Sequence, residues 1–224
     1  MDQLQTDFTA ARNNMVDCQV RPNRVTDPRV LDAMRSLPRE QFAPPSLAEM
    51  AYVDEDLPLG RGRVLIEPLV IARLVQLARL RAGDKVLIVG AGTGYGAAVA
   101  AACEAHVTAL EEDDALMAIA LTTLPRIAPA VRLVQGRLAA GLPNDGPWDA
   151  IIIEGAVTKV PDVYAMQLSP GGRLVGVLAA TGSSGGRIVL GEPVPGATTL
   201  RFREMYDCTT PMLPSLRPAP AFVF

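Results

Sequence analysis

Residues 85–100, KVLIVGAGTGYGAAVA, decide the fold. Lys85 to Val89 form a short apolar run of strand type, and an alanine-rich helix is predicted over 96–104. Between them stand Gly90, Ala91, Gly92, Thr93, Gly94 and Tyr95. Glycine lets the backbone turn tightly and approach a ligand closely, and the helix that follows offers unpaired N–H groups. A second strand is predicted over 106–110 (HVTAL), and it ends at Glu111-Glu112. A carboxylate there, roughly twenty residues past the glycines, can accept from a ribose diol.

Downstream the alternation continues. Strands are predicted over 131–135, 148–153 and 173–178, with helices over 114–124 and 161–168. Apolar strands alternating with helices make a doubly wound, mostly parallel sheet of the α/β class with right-handed crossovers. Residues 182–186 (GSSGG) read as a hairpin-like turn, and the runs 186–190 and 199–206 read as antiparallel edge strands. The tail, with Pro211, Pro214, Pro218 and Pro220, is expected to lie extended over the surface.

Upstream, residues 1–84 read as helical and irregular. Residues 27–37 place Val30, Leu31, Met34 and Leu37 at helical spacing, with Asp27 as N-cap and Pro28 at the first position. A second amphipathic helix is predicted over 67–80, and 52–66 reads as a loop around Pro58, Gly60 and Gly62. The expected organisation is one compact domain, in which a helical, substrate-side segment (1–84) packs on a ligand-binding core (85–224).

Composition narrows the function. The chain has 224 residues, 49% hydrophobic and only 4% aromatic, with 21 basic and 24 acidic side chains and a net charge of −3. That excludes wholesale disorder, a large basic nucleic-acid face and base-stacking platforms. Cys18, Cys103 and Cys208 lie far apart and His106 is the single histidine, so no zinc site is expected. Sparse cysteines, no signal-like apolar core and no long apolar run point to the cytoplasm, with neither membrane nor nucleic acid as partner. His106, Cys103 and Trp148 read as structural or boundary residues, and Tyr52 and Asp54 as structural or substrate-lining. Arg12, Arg21, Arg24, Arg29, Arg35 and Arg39 read as a solvated basic surface.

The glycine spacing alone leaves the ligand open. Counted from Gly92 it satisfies G-x-G-x-x-A, the NAD pattern. Counted from Gly90 it is G-x-G-x-G, more typical of S-adenosyl-L-methionine sites.

Further matches run in order along most of the chain. They include Met15-Val16, Asp27, Arg29-Val30-Leu31, Pro38-Arg39-Glu40, Ala51-Tyr52, Leu57-Pro58, Gly60, Gly62, Gly90 to Tyr95, Asp149 and Gln167-Leu168 with Pro170-Gly171-Gly172. On these the chain resembles the protein-L-isoaspartate O-methyltransferase family over about residues 10–178. The resemblance implies a class I, Rossmann-like methyltransferase fold, S-adenosyl-L-methionine as cofactor, and methyl transfer to a carboxylate or other acceptor on a protein, a peptide or a small molecule. It implies cofactor contacts at Gly90, Ala91, Gly92, Thr93, Gly94, Tyr95, Glu111 and Glu112, with Gly136 and Arg137 on the adenine side.

Three departures carry expectations. Val64-Leu65-Ile66 stand where the family has Thr-Ile-Ser, so the acceptor pocket Val64, Leu65, Ile66, Glu67 and Pro68 loses a hydroxyl donor. Glu67 would repel an acceptor carboxylate unless turned away or protonated. Gly136-Arg137-Leu138 replaces Gly-Asp-Gly, and Glu154 stands where a small or neutral residue is usual. Glu154 reads either as a solvated strand-end charge or as a group that stabilises positive charge or takes a proton. These departures predict a changed acceptor or weak isoaspartyl activity. The rival readings are a degenerate member acting as a binding or regulatory module, and an NAD-dependent enzyme.

Overall fold

The computed structural model describes residues 7–179 and 185–218. Its centre is a seven-stranded sheet in the order β5 (Arg132–Gln135), β4 (His106–Glu111), β3 (Lys85–Val89), β6 (Trp148–Val157), β7 (Leu168–Ala179), β8 (Gly186–Pro193), β9 (Leu200–Cys208). Strands β3, β4, β5, β6 and β7 run parallel. Strands β8 and β9 are added antiparallel. The chain winds outward from β3 through β4 to β5, then returns to β6 on the other side of β3. Such a reversal leaves a crevice at the strands' C-terminal ends, where open α/β sheets bind ligands.

A parallel sheet must be covered on both faces. Val86 and Ile88 of β3 join one core, which runs continuously through the N-terminal segment; Leu87 and Val89 join the other, with Trp148, Tyr164 and Leu213. The first core takes in α1 (Phe8–Met15), a π-helical turn at Val16–Val20, α2 (Pro28–Ser36), α3 (Pro68–Ala78) and α4 (Tyr95–Ala102). Helix α5 (Asp114–Ile127) follows β4, and the short α6 (Val163–Gln167) precedes β7. The predicted cap holds, with Asp27 accepting from the Arg29 N–H, and Asp113 caps α5 by accepting from the Ala115 and Leu116 N–H groups.

The structure corrects several expectations. The stretch 52–66 is not all loop: β1 (Leu57–Gly60) and β2 (Arg63–Leu65) pair as an antiparallel hairpin. The breakers Gly60 and Gly62 hid it. Arg61 and Gly62 both take positive φ, 51° and 74°, the signature of a tight two-residue hairpin turn. Helix 161–168 shrinks to five residues, and β6 extends four residues beyond the predicted strand, to Val157. The tail does not lie on the surface throughout. Met212 bridges Ala156 in parallel, and Leu213 is buried, because these two apolar residues between prolines find an apolar seat at the end of β6. Most of the predicted GSSGG turn lies outside the described residues.

Candidate functional site

The glycine loop links the C-terminal end of β3 to α4. The N–H groups of Gly90 and Ala91 both donate to the Leu110 carbonyl, at 2.9 and 3.1 Å, so the chain turns back across β4. Gly90, Gly92 and Gly94 carry φ of 73°, 59° and 99°, which side chains rarely adopt. No side chain caps α4, so its first-turn N–H groups stay available. Thr93 and Tyr95 fasten the loop instead. The Thr93 hydroxyl donates to the Phe42 carbonyl at 2.7 Å. The buried Tyr95 ring meets Phe42 edge-on at 5.5 Å and lies 4.8 Å from the Arg39 guanidinium.

Glu111 is buried at the end of β4, and its carboxylate is saturated. It accepts from the N–H groups of Gly92 at 2.7 Å, Glu112 at 2.8 Å and Asp113 at 2.9 Å. Arg63 completes the set with two parallel bonds of 2.8 Å, one to each oxygen, and also donates to the Gly90 carbonyl at 2.9 Å. Arg63 is itself buried. The sequence reading missed it, since it falls in the stretch taken for loop. The available signal was a cation opening an apolar run in a chain whose buried strand-end acid needs a counter-ion.

Arg39 was also misplaced by the sequence reading. It is buried, not solvated, and donates to the Ala51 carbonyl at 2.6 Å and the Ile66 carbonyl at 2.8 Å. It thereby holds the backbone at Ile66 against Tyr95 of the glycine loop. Val64, Leu65 and Ile66 face the glycine loop, with Leu59 of the hairpin beside them. Pro68 opens α3, and Glu67 precedes it without a side-chain capping bond. The Glu67 N–H donates to Asp56 at 2.7 Å. Its carboxyl, pushed up to about 7 by burial and by Asp54 and Asp56, lies outside the cleft lining.

Glu154 is not a solvated charge. It is buried at the C-terminal half of β6, facing the first turn of α4, and a Cβ added at Gly96 would overlap its carboxyl. Among the described residues no hydrogen bond reaches that carboxyl. Burial pushes it up to about 8, with Arg63 pulling it down and Glu111 pushing it further up. At neutral pH it is therefore a neutral carboxylic acid, able to donate. It shares two small clefts with Ile66 and Val64.

Past β5, the Gly136 N–H donates to the Glu111 carbonyl at 3.0 Å. Glu112 accepts from the Leu138 N–H at 3.1 Å. Arg137 is exposed; its carbonyl accepts from the Ala140 N–H at 3.1 Å, and its guanidinium makes no hydrogen bond or ion pair among the described residues.

The donor set suits a nucleoside cofactor: an acid at the end of β4, a glycine cradle after β3 and an uncapped helix start. The open space is small. The cleft between hairpin and glycine loop measures about 10 Å³, room for about one water. A groove of about 270 Å³ lies elsewhere, between Val160 and Phe202, and touches none of these residues. Among the described residues, no three His, Cys, Asp or Glu side chains converge as a metal site, and no helix is long and apolar enough to cross a membrane.

Comparison with known proteins adds three findings. Residues 10–183 match the family model "Protein-L-isoaspartate(D-aspartate) O-methyltransferase (PCMT)". A protein-L-isoaspartate O-methyltransferase of Methylorubrum extorquens (strain PA1) is 41% identical over 184 residues, covering 82% of this chain and 79% of that protein. Protein-L-isoaspartate O-methyltransferase 1 of Rhodopseudomonas palustris (strain HaA2) is 39% identical over 171 residues, 76% of this chain and 70% of that protein. Two solved structures share the fold. A protein-L-isoaspartate O-methyltransferase superposes with a TM-score of 0.78 at 24% identity, covering 92% of this chain and 67% of that one. A putative one from Plasmodium falciparum, in complex with S-adenosyl-L-homocysteine, superposes with a TM-score of 0.74 at 16% identity, covering 91% and 98%.

Proposed function

The chain belongs to the protein-L-isoaspartate O-methyltransferase family, and from that premise we propose that it is an S-adenosyl-L-methionine-dependent O-methyltransferase acting on a carboxylate of a protein or peptide. The observation that carries the reading is the bond between the Gly92 N–H and Glu111, which ties the glycine loop to the acid on the neighbouring strand at the sheet's reversal point. Family membership favours this cofactor over NAD, which the glycine spacing alone left open. When bound, S-adenosyl-L-methionine supplies a methyl group made electrophilic by its sulfonium.

The chain's residues have modest chemistry to perform. A carboxylate acceptor is already a nucleophile, so no strong base is needed, and catalysis rests on positioning and exclusion of water. Gly90, Ala91, Gly92 and Glu111 would hold the cofactor, with Glu112, Gly136 and Arg137 toward the adenine. Thr93, Gly94 and Tyr95 shape the loop. Val64, Leu65 and Ile66 form an apolar wall toward the acceptor. Glu154, neutral at pH 7, supplies the donor that Ile66 lacks. Its O–H can bond an acceptor carboxylate that an ionised group would repel. The three free cysteines suit a reducing compartment such as the cytoplasm.

The test is transfer of labelled methyl from S-adenosyl-L-methionine to an isoaspartyl peptide. Slow transfer is expected for the natural chain. Ile66→Ser restores a hydroxyl donor and should accelerate it on the order of tenfold, from the 1–3 kcal/mol a missing partner costs. Background rates for both proteins would overturn the carboxylate reading.

A further inference from the structure

The acid best placed to hold a ribose is already held. Glu111 has two oxygens with about four lone-pair positions between them. Three backbone N–H groups and both arms of the Arg63 guanidinium take them. The two Arg63 bonds are parallel, one per oxygen, which is also the geometry in which a vicinal diol would donate to a carboxylate. Arg63 further occupies the Gly90 carbonyl, and its partner strand brings Leu59 over Gly92, where an added Cβ would lie 3.7 Å from the leucine. The remaining cleft, about 10 Å³, admits no nucleoside.

We propose that Arg63 is an affinity-determining residue seated in the ribose position. The cofactor enters by exchanging the Arg63–Glu111 pair for its own diol as the β1–β2 hairpin lifts. This rests on the reading of Glu111 as the cofactor's acid.

The hairpin is suited to the movement. It is a two-stranded sheet separate from the main one, anchored at its base by the buried Leu57 and Leu65 and exposed at its tip, Gly60 to Gly62. The departing guanidinium leaves Glu111 with three backbone donors, so the acid is never stripped bare. Apparent affinity is the intrinsic affinity scaled by the fraction of molecules with Arg63 withdrawn. Removing the fork therefore tightens binding without adding a contact to the ligand.

The experiment is calorimetric titration with S-adenosyl-L-homocysteine of the natural chain, Arg63→Gln and Gly92→Val. Amide hydrogen exchange of the natural chain with and without the same ligand accompanies it. Expected are binding to Arg63→Gln at least tenfold tighter than to the natural chain, none to Gly92→Val, and faster exchange over 57–65 when ligand is bound. Equal or weaker binding by Arg63→Gln, with Gly92→Val still inactive, overturns the role of Arg63 and leaves the cofactor site standing. No binding by the natural chain or Arg63→Gln at millimolar ligand overturns both. If Arg63→Gln fails to fold, exchange in the natural chain decides, and protection of 57–65 by the ligand overturns the proposal.

Discussion

Glu154 shows how one buried side chain sets a pH dependence. In the folded chain its carboxyl sits at about 8, against an ordinary value of 4.5, because burial disfavours the charge. Between those values the unfolded chain has lost the proton and the folded chain still holds it. Stability contributed by Glu154 is thus fully present below pH 4.5 and lost as pH rises through 8, at up to about 1.4 kcal/mol per unit. Glu154→Gln stays neutral in both states. The melting temperature of E154Q should match the natural chain at pH 5 and exceed it at pH 8. An unchanged difference between the two pH values would show that Glu154 ionises in the folded state. Glu67, raised to about 7, contributes with the same sign in both proteins and drops out of the comparison.

Elements differ in how they announce themselves. The segment Pro211–Leu213 runs beside the end of β6, with the Leu213 N–H donating to the Ala156 carbonyl at 2.9 Å and the Ala156 N–H donating to the Pro211 carbonyl at 3.0 Å. The Leu213 side chain lies where a Cβ at Gly155 would be 2.6 Å away and one at Gly90 3.0 Å away. Leu213→Ala should therefore lower the urea midpoint, by the equivalent of about 2–5 kcal/mol for a buried leucine, and loosen the glycine loop. A change below about 1 kcal/mol would mean that the segment detaches readily. Prolines on both sides concealed this strand from a reading based on periodicity. Strands β3 and β4 and helices α2 and α3 were legible because their apolar period and caps are local. The hairpin was hidden because its register comes from turn geometry. Glu111 was legible from its place after β4. Arg63 was not, because its role depends on a partner 48 residues away.

At the scale of the whole molecule, one apolar cluster joins the N-terminal helices to the sheet, from Met15 and Met34 through Leu74 to Ile88, Val175 and Leu190. Segments that share a core this intimately should unfold together. The single tryptophan, Trp148, is buried at the start of β6 and reports on the sheet. Its fluorescence and the helical circular dichroism should follow one coincident urea transition; separate midpoints would mark the N-terminal segment as an independent unit. At the far end, the sheet finishes on β9, whose outer backbone nothing pairs among the described residues. Charge guards that edge. Arg203 reaches Glu192 at 3.2 Å and Arg187 reaches Asp207 at 2.9 Å, and these exposed side chains line the last two strands. Paired ions of both signs make a poor template for a second copy of the strand. Salt screens exposed charges over roughly 3 Å at 1 M, so concentrated electrolyte should disarm the guard, and pairing of two copies along β9 should rise with ionic strength.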